Sequence, residues 1–210
     1  MRAMDARSYW ERVYQTKKPT DVSWYRPHLE KSMELLAAAA PSRDSRIIDV
    51  GGGESTLVDD LLNQGYTGLT VLDISSTAIE VTRERLAERA SLVMWLVGDV
   101  TSLELPPQHY DVWHDRAVFH FLTSPVDRQA YVRQVSKAVK PGGHVIVASF
   151  GPEGPLKCSG LEVVRYDADT MHHEFGVQFQ PVKHLLEEHQ TPFGTTQQFI
   201  YCYCRLSSGR

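Results

Sequence analysis

Long apolar runs are missing from this chain of 210 residues. No stretch approaches the ~20 apolar residues that a membrane-crossing helix needs, and the opening Met1-Arg2-Ala3-Met4-Asp5 carries no apolar signal core. Cysteine is scarce. Cys158, Cys202 and Cys204 are odd in number and the last two are two residues apart, which argues against a disulfide framework and fits free thiols in a reducing compartment. Positive charge is not in excess: 22 Lys and Arg stand against 26 Asp and Glu, a net charge of -4. That weighs against a surface built for nucleic-acid phosphates. There is no internal repeat, no low-complexity block and no Gly-Lys-Ser/Thr triplet of a nucleotide-triphosphate loop. His172 and His173 are neighbours rather than an i, i+4 zinc pair. The expectation is a cytoplasmic protein, monomer or homodimer, with no metal site and no membrane or nucleic-acid partner.

What is present is an ordinary globular composition, 42% hydrophobic and 23% charged, in a length that suits one domain over residues 1–210. Residues 1–45 read as a helical N-terminal segment, with a helical pattern from Pro27 to Pro41. The chain then alternates. Strands are expected at Arg46–Val50, Gly68–Ile74, Leu92–Val97, Tyr110–Asp115 and His144–Phe150, and helices at Ser55–Gln64, Thr77–Arg89 and Val126–Val139. The strand runs are nearly continuous in apolar residues, as in a parallel sheet covered on both faces. Asp167–Phe175 reads as a short helix capped by Asp167. Val182–Glu188 and Gln197–Leu206 read as a terminal antiparallel hairpin around Thr191-Pro192-Phe193-Gly194.

The central motif is Asp49-Val50-Gly51-Gly52-Gly53-Glu54-Ser55, which leaves the first strand and opens a helix. Glycine lets a backbone approach a ligand without a Cβ in the way, and a helix start offers unpaired N–H groups. A dinucleotide loop would place a third glycine where Thr56 stands. Asp73 closes the second strand twenty residues after Gly53, with Ile74 beside it. An acid there can accept both hydroxyls of a ribose; its alternative is a helix cap, a task that Ser75 or Ser76 can also perform. Asp99 follows the third strand, where its carboxylate can accept an adenine amine while the backbone at Val100 reads a ring nitrogen. The alternative is a loop acid that caps a turn.

These landmarks, with Tyr110–Asp115 and Lys140-Pro141-Gly142-Gly143, resemble those of class I S-adenosylmethionine (SAM)-dependent methyltransferases. Ser55 departs from the third spaced glycine often found in that family. The resemblance implies an α/β fold, a Rossmann-like doubly wound seven-stranded sheet, mostly parallel with an antiparallel last strand. It also implies SAM as cofactor, at the carboxyl ends of strands one to four. Tyr9-Trp10-Glu11-Arg12-Val13-Tyr14, followed by Trp24-Tyr25, is similar to thiopurine-type small-molecule methyltransferases and to small protein-lysine methyltransferases. There the aromatic segment lies over the cofactor, which makes Trp10 and Tyr14 candidate cofactor contacts; the alternative is a helix pinned to the core by Trp10, Val13 and Tyr14.

Methyl transfer from a sulfonium needs alignment and exclusion of water, and a base for some nucleophiles. Asp115, Arg116 and His120 leave the fourth strand on the methyl side. Asp115 can hold the methionine ammonium or a cationic acceptor, or be a buried acid paired with Arg116. Arg116 can bind an acceptor carboxylate or sit in a structural ion pair. His120 can orient an acceptor or be a packed histidine. A small, partly apolar acceptor walled by Trp24 and Phe119 is expected, with a protein lysine as the alternative. A nicotinamide-dependent oxidoreductase and a catalytically silent SAM-binding module are the competing classes.

Overall fold

The computed structural model describes residues 3–208. Five strands run parallel: β1 Arg46–Val50, β2 Gly68–Asp73, β3 Val93–Val97, β4 Tyr110–Arg116 and β5 Val139–Phe150. The terminal hairpin adds β6 Phe179–Gln190 and β7 Thr196–Leu206. The sheet order is β3-β2-β1-β4-β5-β7-β6, with β7 antiparallel to both of its neighbours. This is the expected seven-stranded, mostly parallel Rossmann-like sheet with an antiparallel last strand.

Period-two alternation sorts each strand between two cores. Ile47 packs with α2 (Glu30–Ala39) and α3 (Leu57–Asn63) through Leu35, Leu36, Leu57 and Leu61. Its neighbour Ile48 joins Trp113, Tyr131 and Val135 on the other face, under α5 (Pro125–Ala138) and α6 (Ala168–Phe175). The helix α4 (Ser76–Leu86) covers the first face through Ile79 and Leu86. Asp167 caps α6 in a reciprocal capping box with Thr170.

Several boundaries differ from the sequence expectation for local reasons. α2 starts at Glu30 rather than at Pro27; the Arg26 carbonyl accepts from the Thr56 hydroxyl at 3.2 Å, which lays the preceding segment across the glycine loop. α4 stops at Leu86, where Ala87 takes a positive φ of 52° and a 3-10 turn follows. The Lys140–Gly143 turn does not precede β5 but bulges from it. Val139 already pairs with Tyr110, and regular pairing resumes at Val112 with His144.

The first helix, α1 (Ala3–Thr16), lies over the carboxyl ends of the strands. One side chain fixes it there. The Glu11 carboxylate accepts from the Ser76 N–H (2.6 Å), the Ser76 hydroxyl (2.8 Å), the Ser75 hydroxyl (3.0 Å) and the Thr77 N–H (3.2 Å). It therefore supplements Ser75, whose own hydroxyl accepts from the Ala78 N–H and caps α4. Partial burial opposes its ionisation, but those hydrogen bonds dominate and hold its pKa down at about 2. A depressed carboxyl stabilises the docked helix above its ordinary value near 4.5 and loses that effect as pH falls toward 2.

Glu11→Ala is expected to leave the sheet intact and to loosen α1. Amide hydrogen exchange over residues 6–16 should speed up by about tenfold or more, the loss expected when several hydrogen bonds to a charged group go, while β1 and β4 stay protected. Unchanged exchange in α1 would show that its apolar face alone holds it.

Candidate functional site

The three consecutive glycines make room mainly for protein groups. Gly51 has φ +71° and its N–H donates to the Leu72 carbonyl at 2.7 Å; a Cβ there would run into Val118. A Cβ on Gly52 would sit 2.6 Å from Asp49 Oδ2, and one on Gly53, at φ +24°, 2.6 Å from Asp73 Oδ2. The loop therefore wraps two buried carboxylates as tightly as backbone allows.

Beside it lies a cavity of about 480 Å³, inside the ~300–1,000 Å³ range of small-ligand pockets. In strand order its floor shows Gly51 after β1, Asp73 at the end of β2 with Ile74 next to it, and Gly98, Asp99 and Val100 after β3. α1 supplies Trp10 and Tyr14; Trp24, Arg116 and Phe121 complete one wall, and Cys158 and Gly160–Glu162 another. That last wall belongs to a two-residue antiparallel ladder, Lys157–Cys158 with Leu161–Glu162. The Tyr9 hydroxyl, on α1, donates to the Ser159 carbonyl between its arms. Trp10 packs edge-on against Phe121 at 5.0 Å and Trp24 at 5.9 Å. Trp10 and Tyr14 thus line the cavity while Val13 is buried, so covering the site and anchoring the helix are done by different faces of one element.

Asp73 is 4% exposed and accepts from the Ser75 N–H at 2.8 Å. Burial pushes its pKa up to about 7 against that hydrogen bond, with the negative charges of Asp49 and Glu11 adding to the rise. Asp73 does not cap α4, because Ser75 does. Asp99 uses one oxygen on its own turn, accepting from the Thr101 N–H (2.8 Å) and hydroxyl (2.7 Å). Its other oxygen makes no hydrogen bond among the described residues.

Asp49 does not reach the large cavity. Its Oδ1 pairs with His114 Nδ1 at 2.7 Å, His114 Nε2 pairs with the Ser32 hydroxyl at 2.9 Å, and Ser32 approaches the Tyr201 hydroxyl at 3.5 Å. Tyr201 in turn donates to Glu187 Oε2 at 3.1 Å. Arg116 joins at this point. Its Nε donates to the Tyr201 hydroxyl (3.2 Å), one terminal nitrogen donates to the Trp24 carbonyl (3.2 Å) and the other lies 3.5 Å from Glu187. Arg26 donates to the second Glu187 oxygen at 2.6 Å. Arg116 lines the cavity in an ion pair with Glu187 and not Asp115, although the terminal nitrogen nearest Glu187 makes no hydrogen bond among the described residues.

Asp115 and His120 do not face the cavity. The Asp115 carboxylate is fully buried and accepts from the Tyr131 hydroxyl (2.6 Å), the Val118 N–H (2.8 Å) and the Phe119 N–H (3.1 Å). Burial lifts its pKa to about 6, with these donors opposing the rise. His120 is wedged between Phe121 and Phe150, 4.5 Å from each ring, and burial with the nearby Arg116 charge drives its pKa down to about 3. Phe119 packs on Tyr131, Tyr166 and Phe175 instead of forming a pocket wall. For Asp115 the physical reason is strand alternation: His114 and Arg116 point to the face of α2, and Asp115 between them points to α5; Phe119 and His120 lie beyond β4, in a 3-10 turn.

Sequence reasoning did not find the contacts of Glu11, Ser32, His114 and Glu187 or the place of Cys158 on the cavity wall, none of which carries a local signal. Among the described residues, no group of three or more His, Cys, Asp or Glu could hold a metal ion, and no helix is long and apolar enough to cross a membrane.

Residues 47–143 match a family described as a methyltransferase domain. The chain is 28% identical over 138 residues to the mouse (Mus musculus) eEF1A lysine and N-terminal methyltransferase, a match that takes in 66% of this chain but 19% of that protein. It is 30% identical over 117 residues to the ubiquinone/menaquinone biosynthesis C-methyltransferase UbiE of Ectopseudomonas mendocina, covering 53% of this chain and 44% of that one. The chain thus spans about a fifth to under half of these curated relatives. A solved structure from work on the conversion of a disulfide bond into a thioacetal group during echinomycin biosynthesis superposes with a TM-score of 0.79 at 18% identity, over 98% of this chain and 94% of that one. Residues 47–143 are thus similar to a methyltransferase domain, and the fold of nearly the whole chain is shared with that solved structure.

Asp115→Ala is expected to act on stability. It strands two backbone N–H groups and the buried Tyr131 hydroxyl, which costs about 2–5 kcal/mol, read as a lower urea midpoint at unchanged m-value. A variant as stable as the parent, with transfer lost, would return Asp115 to the reaction.

Proposed function

We propose that this chain binds SAM across the carboxyl ends of β3, β2 and β1 and passes its methyl group to a small, uncharged, partly apolar acceptor. The observation that carries this reading is the strand-by-strand order of Asp99, Asp73 and Gly51 along one cavity floor beneath α1. The residues fit an adenosyl ligand. Asp99 has an oxygen left to accept an adenine amine, and Asp73, buried with a single Ser75 N–H donor, gains most from accepting ribose hydroxyls.

SAM supplies an activated methyl on a sulfonium. The chain's own contribution is placement and exclusion of water. Trp10, Trp24 and Phe121 form an aromatic wall that keeps water from an in-line displacement and offers ring faces to a cation. Burial and the charges of Asp73 and Glu54 push the Tyr14 pKa well up, so its hydroxyl stays neutral and acts as a donor rather than a base. Among the described residues that line the cavity the one cation is Arg116, and Glu187 pairs with it at 3.5 Å. That selects an uncharged acceptor over the anionic one a free arginine would favour.

A protein lysine is the second reading, favoured by the similarity to the mouse eEF1A lysine and N-terminal methyltransferase and by Asp127 and Glu162 on the cavity lining. Against it, Glu162 pairs with Lys157 at 2.8 Å, and α1 and the 157–162 ladder roof the cavity, which suits a small molecule.

Asp73→Ala should weaken SAM binding by roughly 10- to 100-fold in calorimetry, from the loss of one or two charge-assisted hydrogen bonds, with little change in melting temperature. Unchanged affinity would remove Asp73 from the site. With labelled SAM and separate metabolite and protein fractions from the native cell, label should enter the metabolites. Label confined to one protein band would establish the lysine reading instead.

A further inference from the structure

Cys202 and Cys204 stand two residues apart on β7 and take no part in the site described above. Period two puts both thiols on one face of the strand. They pack with Val145 and Val147 of β5 in the core under α5 and α6, each 2% exposed. Their sulfurs lie 3.2 Å apart. Cysteines that only fill space behave as small hydrophobes and need not bring their sulfurs together. Cys158 stands on the cavity wall instead, where burial pushes its pKa up to about 11 and keeps it a thiol.

The two thiols of the pair are not equivalent. The hydrogen bond from Cys202 holds the Cys204 thiol below its ordinary range against the effect of burial, while burial and the same contact push Cys202 up. One sulfur is the better nucleophile and the other a protonated partner in contact with it, the arrangement of an attacking and a resolving thiol. The sheet is irregular beside them. Cys204 faces Pro181, which has no N–H to give to the ladder, and the register shifts between Pro181 and Lys183. Cys202 faces His184 on β6, the outer strand, where His184, Val182 and Leu186 are exposed. A local opening of this edge admits a small oxidant without unfolding the sheet.

We propose that Cys202 and Cys204 form an oxidative modification site, a dithiol that a peroxide closes to a reversible disulfide. This assignment does not depend on the SAM reading. The Cys204 thiolate attacks hydrogen peroxide; its O–O bond breaks, a sulfenic acid forms, and the oxygen that leaves takes the thiol proton and departs as water. The Cys202 sulfur then attacks the sulfenic sulfur, the S–O bond breaks, and a second water carries off the Cys202 proton. The two sulfurs together give up two electrons and the peroxide accepts them. Alternate residues of an extended strand have Cα atoms about 6.6–6.8 Å apart, at the long end of the ~4.4–6.8 Å span of disulfides. Closure therefore draws β7 in at Tyr203, next to the irregular part of its ladder with β6, and a bond under such tension is readily reduced again.

The test exposes the full chain to hydrogen peroxide, blocks the remaining thiols with iodoacetamide in denaturant and cuts with trypsin. The pair falls in peptide 184–205 and Cys158 in peptide 158–165, so the two are read separately. Peptide 184–205 should be lighter by the two thiol hydrogens and unalkylated, while 158–165 stays alkylated. Dithiothreitol before blocking should restore both labels on 184–205. Amide exchange over residues 179–190 should be about tenfold faster in the oxidised protein, with β1 and β4 unchanged. Cys202→Ser should leave Cys204 without a resolving thiol, so that it runs on to a sulfinic acid that dithiothreitol does not reverse. A parent whose peptide 184–205 stays fully alkylated after Cys158 has been oxidised overturns the assignment. So does a parent in which that peptide gains oxygens that dithiothreitol does not remove. Unchanged exchange over 179–190 after closure would refute the pull on β7.

Discussion

Burying carboxylates at the carboxyl ends of a parallel sheet is the constraint around which this structure is arranged. Asp49, Glu54, Asp73 and Asp115 are each less than 9% exposed, and an ionised acid in such a place must find donors or a cation. The donors differ in kind and in completeness. Among the described residues, Asp115 has three, Asp49 has a histidine, Asp73 has one backbone N–H and Glu54 has none. That gradient separates the acids that hold the fold from those with capacity left for a ligand. The cavities open beside the incompletely satisfied pair, Asp73 and Glu54.

The same constraint explains the glycines and the placing of α1. Gly52 and Gly53 are needed because Asp49 and Asp73 fill the space where a Cβ would go, so the loop serves the acids before it serves any ligand. Glu11 then uses the donor-rich start of α4 to hold α1 over the cavity. Trp10 and Tyr14 are carried into place by that attachment, and Val13 by burial. Closing the site and organising its charge are therefore one piece of architecture, since Glu11 also adds to the negative field at Asp73.

Much of this was legible in the sequence. Strand–helix alternation, the glycine loop, Asp73, Asp99, the Asp167 cap and the terminal hairpin are local patterns, and local patterns survive folding. The placing of Asp115 has a simple cause. Asp115 was judged by its position after a strand, but period two sends it to α5 while His114 and Arg116 go to the opposite face. Applied to Val50 and Asp49 next door in the ladder, the same rule would have placed Asp115 in the core. Other groups carried no local signal. Glu11 meets Ser76 across 65 positions and Arg26 meets Glu187 across 161. Such pairs are fixed by topology, and a single sequence does not display them.

Arg116 shows why the distant pairings matter to chemistry. Its guanidinium lines the cavity yet is held by Trp24, Tyr201 and Glu187, over the Phe199 ring at 4.2 Å. A bare guanidinium there would repel a sulfonium and draw anions into the acceptor space, both at short range in a medium less polar than water. Glu187 offsets part of that charge at 3.5 Å, while it is itself shared with Arg26 and Tyr201. On the proposed reading the wall beside the methyl is therefore less positive than a bare arginine would make it, while the opposite side, with Asp73, Glu54 and Asp49, is acidic. A cationic cofactor is drawn to the acidic side. Its product, which has lost the sulfonium charge on giving up the methyl, is held there less strongly. The charge layout thus favours binding before transfer and release after it, with no moving part required.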